Sequence, residues 1–152
     1  MPKKVKVGDL VITASLGELK VYEAKPRTLE AEAGLKEHEV KLDLLTAKDY
    51  IDAHKKLKDI VTDEAGRFKS DIAEEHNLEL EIEKRLVEDI AKDIDSVAKE
   101  AEGRLFAAIA DPIAHQVETL LDSTTKAKIV KLLKKDYVKT EKEALLQTFN
   151  EA

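Results

Sequence analysis

The sequence predicts an α/β domain: a mixed sheet that begins with a β-hairpin and carries helices on its faces. Three observations lead there. Residues 9–25 hold two β-rich runs separated by Leu16-Gly17. A long amphipathic stretch follows from Leu78, with Ile82, Leu86, Ile90, Ile94, Val97 and Ala101 recurring at three- and four-residue spacing. Between helical patterns lies a short, wholly apolar run, Leu105-Phe106-Ala107-Ala108-Ile109-Ala110, the signature of a strand buried on both faces.

The chain has 152 residues, which by length is one domain spanning 1–152. That is long enough to bury a core without a disulfide or metal staple. Cysteine is absent from the sequence, which removes thiol catalysis, Cys-ligated zinc and disulfides together. No apolar run approaches the roughly 20 residues of a membrane span, and the basic start Lys3-Lys4-Val5-Lys6 is not followed by a signal-type apolar stretch. The expectation is a soluble cytoplasmic protein with no membrane partner and no cofactor.

Taken in order, residues 9–15 contain Leu10, Val11, Ile12 and Thr13 with little alternation, as in a strand covered on both sides. Gly17 is expected to supply the turn through positive φ. Residues 18–25 alternate, Leu19 and Val21 on one side, Lys20 and Tyr22 on the other, and Pro26 ends the strand. Residues 27–38 fit a loop or a short helix. Val40, Leu42 and Leu44 alternate with Lys41 and Asp43, which predicts a third strand. Residues 62–68 read as a turn around Gly66, and the polar stretch 69–77 as an exposed loop.

Gly103 ends the long helix. After the buried run, Asp111 is positioned to cap a helix with Pro112 at its first position. Ile113, Val117, Leu120 and Leu121 would face inward. Asp122-Ser123-Thr124 recaps the chain into a Lys-rich helix whose apolar side is Ala127, Ile129, Val130, Leu132 and Leu133. Thr140-Glu141-Lys142-Glu143 fits a capping box for a last short helix through Phe149. The predicted core comprises Val11, Ile12, Leu19, Val21, Leu86, Ile90, Ile94, Leu105, Phe106, Ile109, Val117, Leu120, Ile129, Val130 and Leu133.

Charge is unevenly placed. The formal net charge of −6 opposes general affinity for nucleic acid. Yet residues 71–102 carry 12 acidic against 4 basic side chains, while residues 126–142 carry 7 lysines against Asp136 and Glu141. A helix presenting Lys128, Lys131, Lys134 and Lys135 along one side could contact phosphates. The alternatives are a solvated surface, or a face paired with the acidic helix of the same molecule. Tyr137 is the only aromatic nearby, too few for a stacking platform.

Other candidates are weaker. His38, His54, His76 and His115 show no metal-ligand spacing. Glycine-rich phosphate loops and the nucleophile elbow are both missing from the sequence. Asp63, Glu64 and Arg67 cluster around a Gly turn that either holds an anionic or carboxylate ligand or satisfies itself. Asp111, at the carboxyl end of a strand, lies where α/β sheets place ligands, although helix capping explains it equally well.

Three stretches together resemble the bacterial host-attachment protein family, proteins described as required for attachment to host cells. The first is the hairpin at residues 9–22. The second is the run Val61-Thr62-Asp63-Glu64-Ala65-Gly66-Arg67-Phe68. The third is 104–139, with Leu121-Asp122-Ser123-Thr124-Thr125-Lys126 and Lys135-Asp136-Tyr137-Val138-Lys139 in the family's order. The resemblance implies an RNase-H-like α/β layer similar to the middle domain of the eukaryotic and archaeal peptide-chain release factor, and through it a translation-associated role. That factor's Gly-Gly-Gln tip has no counterpart here, since no Gly-Gly pair occurs. The leading expectation is therefore a non-enzymatic binding domain that engages the ribosome, structured RNA or a protein partner through its Lys-rich helix. The alternatives are a metal-dependent hydrolase of phosphate-containing or RNA substrates, using strand-end carboxylates such as Asp9 and Asp111, and a homo-oligomeric structural protein.

Overall fold

The alternation of side-chain direction along each strand sorts the apolar residues into two cores, one on each face of a five-stranded sheet. In the computed structural model, residues 4–29, 33, 40–50, 55 and 72–152 are described, the side chains of 72–76 excepted. The strands are β1 (Leu10–Ala14), β2 (Glu18–Pro26), β3 (Val40–Asp49), β4 (Leu105–Ile109) and β5 (Ile129–Leu133). The helices are α1 (Ile72–Glu100), α2 (Asp111–Leu120), α3 (Ser123–Lys128) and α4 (Lys142–Glu151). Strand order is β3-β2-β1-β4-β5, with β1–β2 and β2–β3 antiparallel and β1–β4 and β4–β5 parallel. The expected mixed α/β sheet with a leading hairpin is thus observed.

On one face, Leu10, Ile12, Ala14, Leu105, Ala107 and Ile109 meet the stripe of α1 (Ile82, Leu86, Ile90, Ile94) and α2 (Ile113, Ala114, Val117). On the other, Val11, Tyr22, Leu42, Phe106 and Ala108 meet Leu145, Leu146 and Phe149 of α4. Phe106 and Phe149 pack edge to face with ring centroids 5.8 Å apart. All five residues of β1 and of β4 are buried, as expected of central strands covered by helices on both sides.

Several expectations are corrected. The Lys-rich helix does not exist as such: α3 ends at Lys128, and Ile129–Leu133 is a strand parallel to β4. The lysine spacing mimics a helical stripe, but β4 presents an open edge of backbone donors and acceptors. Pairing those groups with the β-branched Ile129-Val130 segment outweighs the helical alternative. As an edge strand β5 is only half-buried, so Ile129, Val130 and Leu133 flank the two cores rather than fill them. Leu120 is 48% exposed. Helix α1 starts at Ile72, so residues 72–77, expected as loop, are helical. Alanine and glutamate are good helix formers, and the stretch holds no proline or glycine to oppose a helix.

Turn and cap chemistry also differ. Gly17 does not use positive φ. The hairpin is closed by Ser15 N–H to Glu18 O (2.9 Å), and the Gly17 N–H donates to Ser15 Oγ (3.2 Å). Among the described glycines the positive φ belongs to Gly8 (94°), in a turn closed by Asp9 N–H to Lys6 O. Asp111 is not the cap: Ala110 occupies that place, and Asp111 contributes its charge to the first turn of α2. The capping box at 140–143 does not form, because Glu143 accepts from Arg27 Nη2 at 2.6 and 2.7 Å instead.

Candidate functional site

The connection between β5 and α4 places lysines at the carboxyl end of the parallel strands. It leaves β5 at one edge of the sheet and reaches β2, where Lys20 Nζ donates to Val138 O at 3.0 Å. It therefore traverses the β4–β1 pair near the ends where α/β sheets offer ligand positions. Half-buried Tyr137 packs against the α4-side core, and Val138 is buried beside it in the chain. Asp136 Oδ1 accepts the Val138 N–H (3.0 Å), and Thr140 N–H donates to Tyr137 O. Lys134, Lys135, Lys139 and Lys142 remain exposed. Lys134 lies 3.9 Å from Glu118, a loose pair with both side chains about half exposed, worth little in water. Lys135 sits 5.6 Å from the Tyr137 ring centroid, which fixes its direction without neutralising it.

The other two lysines of the expected face do different work. Lys128 Nζ donates to the carbonyls of Ala98 (2.6 Å) and Ala101 (2.9 Å), closing the carboxyl end of α1. Lys131 Nζ donates to Phe149 O (2.7 Å) and Ala152 O (2.9 Å) at the end of α4. Cations there satisfy orphan carbonyls and complement the helix dipole. Loss of hydration pushes the Lys131 pKa below its ordinary value. The lysine face is thus split: Lys134 and Lys135 are available at the carboxyl edge, while Lys128 and Lys131 are engaged. Asp63 and Arg67 lie outside the described residues.

The carboxylates proposed for hydrolysis do not converge. Asp9 precedes β1 and Asp111 follows β4, and the two strands are parallel and in register (Leu10 opposite Leu105). They sit at opposite ends of the sheet, roughly 20 Å apart by strand rise. Among the described residues no group of three or more His, Cys, Asp or Glu side chains is placed to hold a metal ion. His115 is an exposed residue of α2 whose carbonyl accepts from Thr119 Oγ1.

Asp9 has a structural partner that the sequence alone did not reveal. Its carboxylate accepts Arg104 Nη2 at 2.6 Å, Arg104 Nε at 3.2 Å and the Lys6 N–H at 2.7 Å. Arg104 also donates to Lys4 O (2.9 Å) and stacks 5.3 Å from the Phe106 ring centroid. The pair follows from register: each residue immediately precedes one of two adjacent parallel strands. Opposite charges at those two positions were the available signal, readable only once β1 and β4 are known to be neighbours. Beside this pair opens a cleft of about 780 Å³ between the end of α1, β3 and the amino ends of β1 and β4. Gly103 permits the close approach that shapes it, since a Cβ there would stand 2.5 Å from Gly8 O.

A third polar cluster joins β3 to α1. Tyr50, fully buried, donates its hydroxyl to Asp93 Oδ2 (2.6 Å), which also accepts from Lys48 Nζ (2.8 Å). Burial, then the hydrogen bond to Asp93, pushes the phenol pKa well above its ordinary value.

Comparison of the chain with known protein families and with curated proteins finds no match. No helix among the described residues is long and apolar enough to cross a membrane.

Proposed function

We propose that this chain is a non-enzymatic binding domain of the cytoplasm that engages a polyanion, structured RNA such as that of the ribosome, through the connection at residues 134–142. One observation carries the reading: four exposed lysines on a segment anchored across the carboxyl ends of β1 and β4, while the neighbouring Lys128 and Lys131 are held in helix caps. The segment is locally basic, four lysines against Asp136 and Glu141, in a chain of net charge −6. The acidic α1 repels the same phosphates, so contact is confined to this edge. The resemblance to host-attachment proteins and to the release-factor middle domain adds the translation-associated setting. The strand order, with two antiparallel strands on one side of β1 and two parallel ones on the other, supports the RNase-H-like layer that the resemblance implies.

The test is co-sedimentation with purified ribosomes across a salt series. Four phosphate contacts would make log K fall with log salt at a slope of about −3. Lys134→Glu with Lys135→Glu and Lys139→Glu should abolish binding, and Lys128→Met should not. Binding that is insensitive to salt, or unchanged in the triple variant, rejects the proposal.

A further inference from the structure

We infer that the cleft at the amino ends of β1 and β4 is a second docking site, for a peptide segment that carries a bulky apolar side chain between basic residues. Its position is at the opposite end of the sheet from the lysines at 134–142, so the inference is independent of RNA binding. Two observations combine. Val7 and Leu45, 39% and 56% exposed, are large apolar side chains left open to solvent, and both line this cleft. They come from separate elements, the turn before β1 and the bulge in β3 opposite Val21 and Tyr22, yet face one space together with half-buried Val97.

The rim is acidic on both sides. Glu23 of β2 stands on one, and Glu100 and Glu102, flanking the end of α1, on the other. Glu100 and Glu102 are exposed and make no ion pair among the described residues. Glu23 has, among the described residues, only Lys25 at 3.9 Å. Arg104, the single cation among the described lining residues, is engaged by Asp9 and Lys4 O. The cleft therefore offers an apolar floor and a net negative rim divided between two walls. A small amine would reach one wall, whereas a peptide places one cation on each with its apolar side chain between them. A volume of 780 Å³ holds several side chains and falls within the range of binding pockets.

The experiment uses the full chain and a capped, fluorescein-labelled pentapeptide, Lys-Leu-Phe-Leu-Lys. Comparators replace its lysines by glutamate or its apolar residues by serine. Fluorescence anisotropy should show saturable binding of the first peptide, no binding of the glutamate version and at least tenfold weaker binding of the serine version. The backbone amide resonances of Gly8 and Gly103 should move on titration. Glu100→Lys with Glu102→Lys, or Leu45→Ser, should each weaken binding at least tenfold. Glu79→Lys, an exposed reversal elsewhere on α1, should leave it unchanged. The inference is overturned if Gly8 and Gly103 do not respond. It is equally overturned if Glu79→Lys weakens binding as much as the rim variants, which would mean attraction to any acidic surface.

Discussion

At the amino ends of β1 and β4, opposite charges meet below the surface: the Asp9 side chain is 6% exposed and bound by Arg104. At the carboxyl ends of the same strands, Lys134, Lys135 and Lys139 stand in solvent with at most a loose carboxylate neighbour. The two ends teach how placement decides the role of a charge. A buried ion is tolerated only with partners and so becomes part of the framework. An exposed lysine on an anchored segment contributes little to stability and stays free to meet a ligand.

Substitutions at each end can break or sharpen that contrast. The largest effect is expected for Arg104→Ala, which strips a buried carboxylate of its guanidinium. A loss of about 3 kcal/mol is expected, read from the urea midpoint. A change under half that size would mean that the amino end is not locked by this pair.

Next comes the cluster that joins β3 to α1, Tyr50 with Asp93 and Lys48, where a buried group is again held by charged partners. Tyr50→Phe should cost about 1.5 kcal/mol at neutral pH, the loss of a hydrogen bond to a charged group. Because the folded phenol pKa lies above that of the unfolded chain, this tyrosine's contribution is complete below about pH 10 and is lost as pH rises beyond it. The wild-type advantage over Tyr50→Phe should therefore shrink by about 1.4 kcal/mol per pH unit above 10. Denaturant titrations at pH 8, 10 and 11 measure it.

A smaller, two-way effect separates the lysines. Lys128→Met should lower stability by about 1 kcal/mol and leave ribosome co-sedimentation intact. Lys135→Glu should do the reverse, staying within about 0.5 kcal/mol of the parent in stability while weakening binding. The smallest effect belongs to Thr13, buried in β1 with its hydroxyl unpartnered. Thr13→Val should raise stability by about 0.5–1 kcal/mol, visible as a higher melting temperature.

Local pattern sufficed where one element's burial is decided along the chain itself. The hairpin, the run Leu105–Ile109 and the α1 stripe from Ile82 to Ile94 were readable because period-two and period-3.6 spacing follow from backbone geometry. The same reasoning misread Ile129–Leu133, whose spacing suits a helix until the open edge of β4 is known. It also misassigned Lys128 and Lys131, since nothing near them in sequence reveals the carbonyls of α1 and α4 that they close. Asp9 and Arg104, 95 positions apart, acquire their partnership only through the parallel register of β1 and β4. The cleft beside them depends on Gly103 lying against Gly8. Among the described residues periodicity thus determined which segments become strand or helix, apart from the edge strand β5 and the first turns of α1, while hydrogen bonding between distant backbones decided which charges are buried, which are capped and which remain exposed.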